Sequence, residues 1–87
     1  MIASARVERL RAALESALHP SLLEIRDDSA KHAGHAGARE GGHFHVVITA
    51  PGFAGVATLE RHRMVYAAAA DLMGRDIHAL SIDARSP

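Results

Sequence analysis

The sequence predicts one α+β domain over residues 1–87. Its elements run helix–strand–strand–helix–strand, and its three-stranded mixed sheet is covered on one face by the two helices. Three observations carry that expectation. A leucine spacing of helical period opens the chain, two alternating apolar stretches flank a segment rich in glycine and histidine, and an alanine-rich helical stretch leads into a third alternating stretch. Three strands of this kind need a covering layer. A strand–helix–strand crossover is right-handed, which sets the last strand parallel to the second.

Each element has a local cause. Val7, Leu10, Leu14 and Leu18 recur at spacings of three, four and four, one face of a helix, with Arg6, Glu8, Arg9, Arg11 and Glu15 between them. Ser4 suits an N-cap, and Pro20 removes a donor and constrains His19, so the helix is expected to stop near Leu18. Leu22 to Asp28 reads as a strand with Leu23 and Ile25 on one face and Glu24 and Arg26 on the other. Phe44, Val46 and Ile48 alternate with His43, His45 and Thr49, giving a second strand that pairs antiparallel with the first. Between them, Ser29 to Gly42 has no periodicity and is long for a hairpin loop. Thr58 to Met73 reads as the second helix, with His62, Val65, Tyr66, Ala69, Leu72 and Met73 as its inner stripe and Gly74 past its end. Ile77 to Ala84 is the last strand, with His78, Leu80, Ile82 and Ala84 sharing a face. The expected core is Leu10, Leu14, Leu23, Ile25, Val46, Ile48, Val65, Leu72, Leu80 and Ile82.

Composition removes several function classes. Ten basic side chains balance ten acidic ones, which argues against a general nucleic-acid binder, since phosphate neutralisation normally takes a basic excess. The absence of cysteine excludes a disulfide framework, a cysteine-based zinc site and a cysteine nucleophile. No apolar run approaches the ~20 residues of a membrane span. The first residues lack the pattern of a signal or transit peptide, so a cytoplasmic protein without membrane contact is expected. Ser29, Ser81 and Thr58 have no base-and-orienter constellation, and an enzyme is not expected.

The anomaly is seven histidines in 87 residues. His32, His35, His43 and His45 occupy or flank one loop, and imidazole is a common ligand for zinc, copper, iron and nickel. Each is equally readable as a solvated loop side chain. His78 begins an otherwise apolar row, so it is either a ligand or a core-edge histidine bonded to a carbonyl. Arg61 and Arg63 flank His62 near the start of the second helix. They suit contact with an anion, a nucleic acid or a partner's carboxylates, or else bond loop carbonyls and cover apolar surface. Gly52-Phe53-Ala54-Gly55 spells a Gly-x-x-Gly clamp but precedes one helix rather than joining two, and no lysine flanks it.

Together these segments resemble the BolA family. The resemblance rests on Leu23-Glu24-Ile25-Arg26-Asp27-Asp28-Ser29, His43-Phe44-His45-Val46, Phe53-Ala54-Gly55, Arg61-His62-Arg63-Met64-Val65-Tyr66 and Ile77-His78-Ala79-Leu80, in order and over nearly the whole chain. Asp28 stands where the family commonly has Glu, and Gly41-Gly42 where it has a Ser/Glu-rich lead. The resemblance implies a class II KH-like fold with a short helical turn near Gly55. It also implies a heterodimer with a monothiol glutaredoxin that shares a [2Fe–2S] cluster, for cluster trafficking or iron sensing. The glutaredoxin's cysteine and glutathione would supply sulfur ligands. His78 would be one ligand from this chain and His32 the second, with His35 as its alternative. The isolated chain is expected to bind no cofactor and to be a monomer or weak homodimer. Some family members are described as DNA-binding regulators, for which Arg61 and Arg63 would be the contacts. A third reading is a free-standing zinc or copper binder using the loop histidines.

Overall fold

The computed structural model describes residues 4–29 and 41–87. Its elements are α1 (Ala5–Leu18), β1 (Leu22–Asp27), β2 (Gly42–Thr49), a 3₁₀ turn (Pro51–Phe53), α2 (Thr58–Ala68), a second 3₁₀ turn (Ala70–Leu72) and β3 (Ile77–Arg85). The sheet order is β1-β2-β3, antiparallel between β1 and β2 and parallel between β2 and β3. The expected order and pairing are therefore what the chain adopts.

α1 starts and stops for the reasons its ends suggest. Ser4 Oγ accepts from the Val7 N–H at 3.1 Å, a cap worth about 1 kcal/mol. His19, held before Pro20, turns left-handed at φ 49° and donates its N–H to the Glu15 carbonyl. The helix buries Val7, Leu10 and Leu14. From β2, alternate residues Phe44, Val46 and Ile48 enter the same core, while His43, His45, Val47 and Thr49 on the opposite face are half-buried. One sheet face is thus covered and the other is open and polar.

Three expectations need correction. α2 ends at Ala68 rather than Met73, because Ala69 (φ −96°, ψ 6°) leaves helical geometry and a 3₁₀ turn follows. Such tightening is common at helix ends, and the alanine run offers no long side chain to hold a further α-turn on the sheet. Tyr66 is not an inner-stripe residue. It stays 41% exposed and lays its hydroxyl on the edge of β3, donating to the Leu80 carbonyl at 2.8 Å. Leu23, Ile25, Leu72 and Ile82 pack against the core half-buried, while Phe44, Phe53, Ile77 and three alanines (Ala50, Ala69 and Ala84) enter it together with Val7. Phe53 is the largest fully buried side chain, and the 3₁₀ turn Pro51–Phe53 carries it in.

Candidate functional site

A fourth correction concerns the site. Gly42 pairs with Ile77 but His43 pairs with Ala79, so β3 carries one extra residue, and that residue is His78. A bulge of this kind re-aims side chains and breaks the two-residue alternation. Ile77 and Leu80 both point into the core, and His78 and Ala79 between them are exposed. The row of His78 with Leu80 and Ile82 therefore does not exist: the bulge lifts His78 out of it onto the open face. There it meets His43, with ring centroids 5.1 Å apart and planes inclined at 40°.

The backbone under this histidine pair is tightly held. His43 donates its N–H to Ser29 Oγ at 3.0 Å, and its carbonyl accepts from the Asp28 N–H at 2.7 Å. Ser29 is itself fixed by donating to Asp27 Oδ1 at 2.9 Å. One residue earlier, the Gly42 N–H reaches the Asp76 carbonyl at 2.9 Å. The Asp76 carboxylate accepts two bonds from the Arg9 guanidinium of α1, at 2.8 and 2.6 Å. That paired hydrogen bond holds the Asp76 carboxyl below the usual carboxylate range, against a smaller opposing desolvation and with help from the Arg9, Arg6 and Arg75 charges. Gly41 has φ +139°, and a Cβ there would lie 2.8 Å from the His78 nitrogen and 2.9 Å from the Arg75 carbonyl. At Gly42 a Cβ would lie 2.6 Å from the Phe44 ring and 2.7 Å from Ser29 Oγ. At both glycines neighbouring segments approach too closely for a side chain.

A hollow of about 210 Å³ adjoins His43, lined also by Asp28, Phe44, Ala79, Leu80 and Ser81. His45, two residues along β2, shares a 2.9 Å hydrogen bond between its Nδ1 and Ser81 Oγ. Arg85 hydrogen-bonds Asp83 and holds its carboxyl low, with smaller contributions from the His45 and His62 charges. Among the described residues no group of three histidines and carboxylates is arranged to hold a metal ion.

The remaining candidates fare differently. His32 and His35 lie outside the described residues. Arg61 is half-buried and gives two of its N–H groups to carbonyls, Nε to Val56 at 2.8 Å and NH1 to Ala84 at 3.1 Å. It thereby ties the start of α2 to the end of β3. Arg63 is exposed and pairs with Glu60 one turn earlier on the helix. The two arginines are thus not a matched pair: one is built into the scaffold and the other faces solvent. His43, weighed above only as one of four histidines in or beside the loop, is the residue that sequence reasoning did not place with His78, because that proximity depends on a bulge that alternation alone does not reveal.

A KH-like layer of two helices on a three-stranded mixed sheet, with a histidine pair where β2 and β3 begin, defines a small α+β domain with a polar open face. The BolA-like protein family model matches residues 14–87, and the chain belongs to that family. It is 44% identical over 78 residues to BolA-like protein 1 of Homo sapiens, covering 90% of this chain and 56% of that protein. Against the DNA-binding transcriptional regulator BolA of Escherichia coli it is 37% identical over 75 residues, covering 86% of this chain and 70% of the other. Among solved structures, the BolA domain of SufE1 from Arabidopsis thaliana superposes with a TM-score of 0.85 at 40% identity, covering 99% of this chain and 96% of that one. The chain spans little more than half the length of the BolA-like protein 1 relatives.

Proposed function

We propose that this chain is a non-enzymatic partner of a monothiol glutaredoxin, sharing a [2Fe–2S] cluster with it in iron–sulfur trafficking or iron sensing. The observation that carries the reading is His78, re-aimed by the bulge to the open end of the sheet beside the start of β2, where a partner can reach it. The donor set fits a half-site and no more. Clusters of this type are held mostly by thiolates, and the chain has no cysteine, so the sulfur ligands must come from the glutaredoxin and glutathione. His78, with His32 or His35 as its companion, would hold one iron, and imidazole in place of thiolate raises the reduction potential. What the chain itself does is keep an imidazole at a fixed place on a sheet edge; a cytoplasmic setting belongs to the same reading.

The experiment is reconstitution of the full chain with a monothiol glutaredoxin, glutathione, iron and sulfide, followed by visible absorption, circular dichroism and EPR. His78→Ala should abolish the histidine-type spectrum while leaving the melting temperature unchanged, and His45→Ala should leave both intact. An unchanged spectrum in His78→Ala overturns the proposal. A second reading, a DNA-binding regulator, draws on the name of the E. coli relative. Arg63 would then be the phosphate contact, since Arg61 is engaged by two carbonyls. A mobility shift that collapses with modest salt and has no sequence preference would leave that reading empty.

A further inference from the structure

The histidine pair is a ligand arrangement in its own right. From zinc–imidazole bonds of about 2.0–2.1 Å and a ring centroid roughly 1.15 Å beyond the bonded nitrogen, a metal lies about 3.2 Å from each centroid. Two such imidazoles separated by a near-tetrahedral angle then have centroids about 5.1–5.2 Å apart. His43 and His78 stand at 5.1 Å. Their 40° inclination is no obstacle, because a ring turns freely about its metal–nitrogen bond. Ring pairs without a ligand also fall in this distance range, so position has to decide. His43 is half-buried and His78 exposed, both on the open face of the sheet, where a cation can approach them from solvent. Their backbones are pinned by the Ser29, Asp28 and Asp76 hydrogen bonds and by the close approach of Gly41 to the His78 nitrogen. A site held this way loses little freedom on binding.

We propose that His43 and His78 form a two-histidine site for a single borderline divalent cation of the zinc, cobalt, nickel and copper class, held by the chain alone. Imidazole suits these ions, and each ring can bind through one nitrogen while the other is engaged elsewhere. Two protein ligands leave the other positions to water or to a ligand brought by another molecule. Ala79, the second exposed residue of the bulge, is too small to obstruct them. The expectation that the isolated chain carries no cofactor then applies to a cluster, which needs thiolates, and not to a single cation.

The test uses the full chain with no glutaredoxin, glutathione or iron, so its failure is separate from any failure of the cluster reading. Zinc chloride is titrated by calorimetry and cobalt chloride by visible absorption, and histidine ring-nitrogen chemical shifts are followed by NMR as zinc is added. One equivalent should bind, with the ring nitrogens of His43 and His78 shifting together. His43→Ala and His78→Ala should each weaken binding by at least about tenfold. His45→Ala and the double variant His32→Ala/His35→Ala should bind as the parent does. Unshifted His43 and His78 ring nitrogens overturn the proposal, as does binding kept in His43→Ala and lost in the loop double variant. The ring-nitrogen shifts decide the question in the unaltered chain whatever happens to the folding of a variant.

Discussion

Gly41→Ala is the most demanding single substitution for this architecture. Gly41 occupies φ +139°, where residues with a side chain are rarely found, and forcing alanine there costs about 1–3 kcal/mol. The added Cβ would also meet the His78 nitrogen at 2.8 Å, the Arg75 carbonyl at 2.9 Å and the Ile77 carbonyl carbon at 3.0 Å. All three are backbone atoms of the segment that begins β3, so no side chain can swing aside, and overpacking of this kind costs a further 1–3 kcal/mol, roughly. The expected destabilisation is about 2–6 kcal/mol in a domain whose whole stability is of order 5–10 kcal/mol. At about 4–8 °C per kcal/mol the melting temperature should fall by at least about 8 °C. Urea unfolding of three variants separates the two causes. Gly74→Ala has the positive φ (+80°) with open space around the new Cβ, so it should show backbone strain alone, about 1 kcal/mol. At Gly52 a Cβ would meet only the flexible end of Met64 at 3.3 Å, so Gly52→Ala should be within about 0.5 kcal/mol of the parent. If Gly41→Ala unfolds at the parent's urea midpoint, the close approach of the glycine pair to β3 is wrong, and with it the account of what fixes His78.

Other substitutions have sharper local readouts. Arg61→Ala should cost about 1–3 kcal/mol in urea unfolding by leaving the Val56 and Ala84 carbonyls short of donors. Arg61→Lys should recover only part of that, because a single ammonium cannot reproduce the fork. Phe53→Ala should cost about 3–5 kcal/mol, whereas Leu59→Ala, at a side chain 62% exposed, should leave the midpoint nearly unmoved. Asp76 has its folded-state pKa lowered by Arg9, so its contribution is present above the unfolded carboxylate value near 3.9 and is lost as pH falls through the folded value. Asp76→Asn should therefore narrow the gap between urea midpoints measured at pH 6 and pH 2.5, and an unchanged gap would refute the pairing.

How much of this was legible follows from which interactions are local. The first helix was readable to its last residue because its cap, its leucine spacing and its terminating proline all lie within the segment they specify. The first two strands were readable because β1 and β2 alternate strictly, with Leu23 and Ile25 turned to the covered face opposite Ile48 and Val46. The end of α2 was not readable. Nothing in Ala67-Ala68-Ala69-Ala70 distinguishes an α-turn from a 3₁₀ turn, since alanine supplies no side chain to prefer one, and the outcome is set by how the chain must descend to β3. Phe53 was missed for a related reason: it sits in a proline-led turn with no period, and only the assembled core shows that its ring fills it.

The site turned on a single residue of register. Read with a period of two, Ile77-His78-Ala79-Leu80-Ser81-Ile82 gives His78 to the core row, where it would be a structural histidine. The pairing of Gly42 with Ile77 and of His43 with Ala79 makes His78 the extra residue of a bulge and reverses its face. The cause lies on the neighbouring strand. Gly41 and Gly42 come so close to the start of β3 and to Phe44 that neither could carry a side chain, and the Gly42 N–H is fixed to the Asp76 carbonyl. With the pairing anchored at Asp76 and resumed at Ala79, one residue of β3 has to be extruded. A glycine pair that composition alone suggests is a flexible lead is thus part of the device that fixes a histidine. The same device brings His43 beside His78, which no reading of either strand by itself could have found.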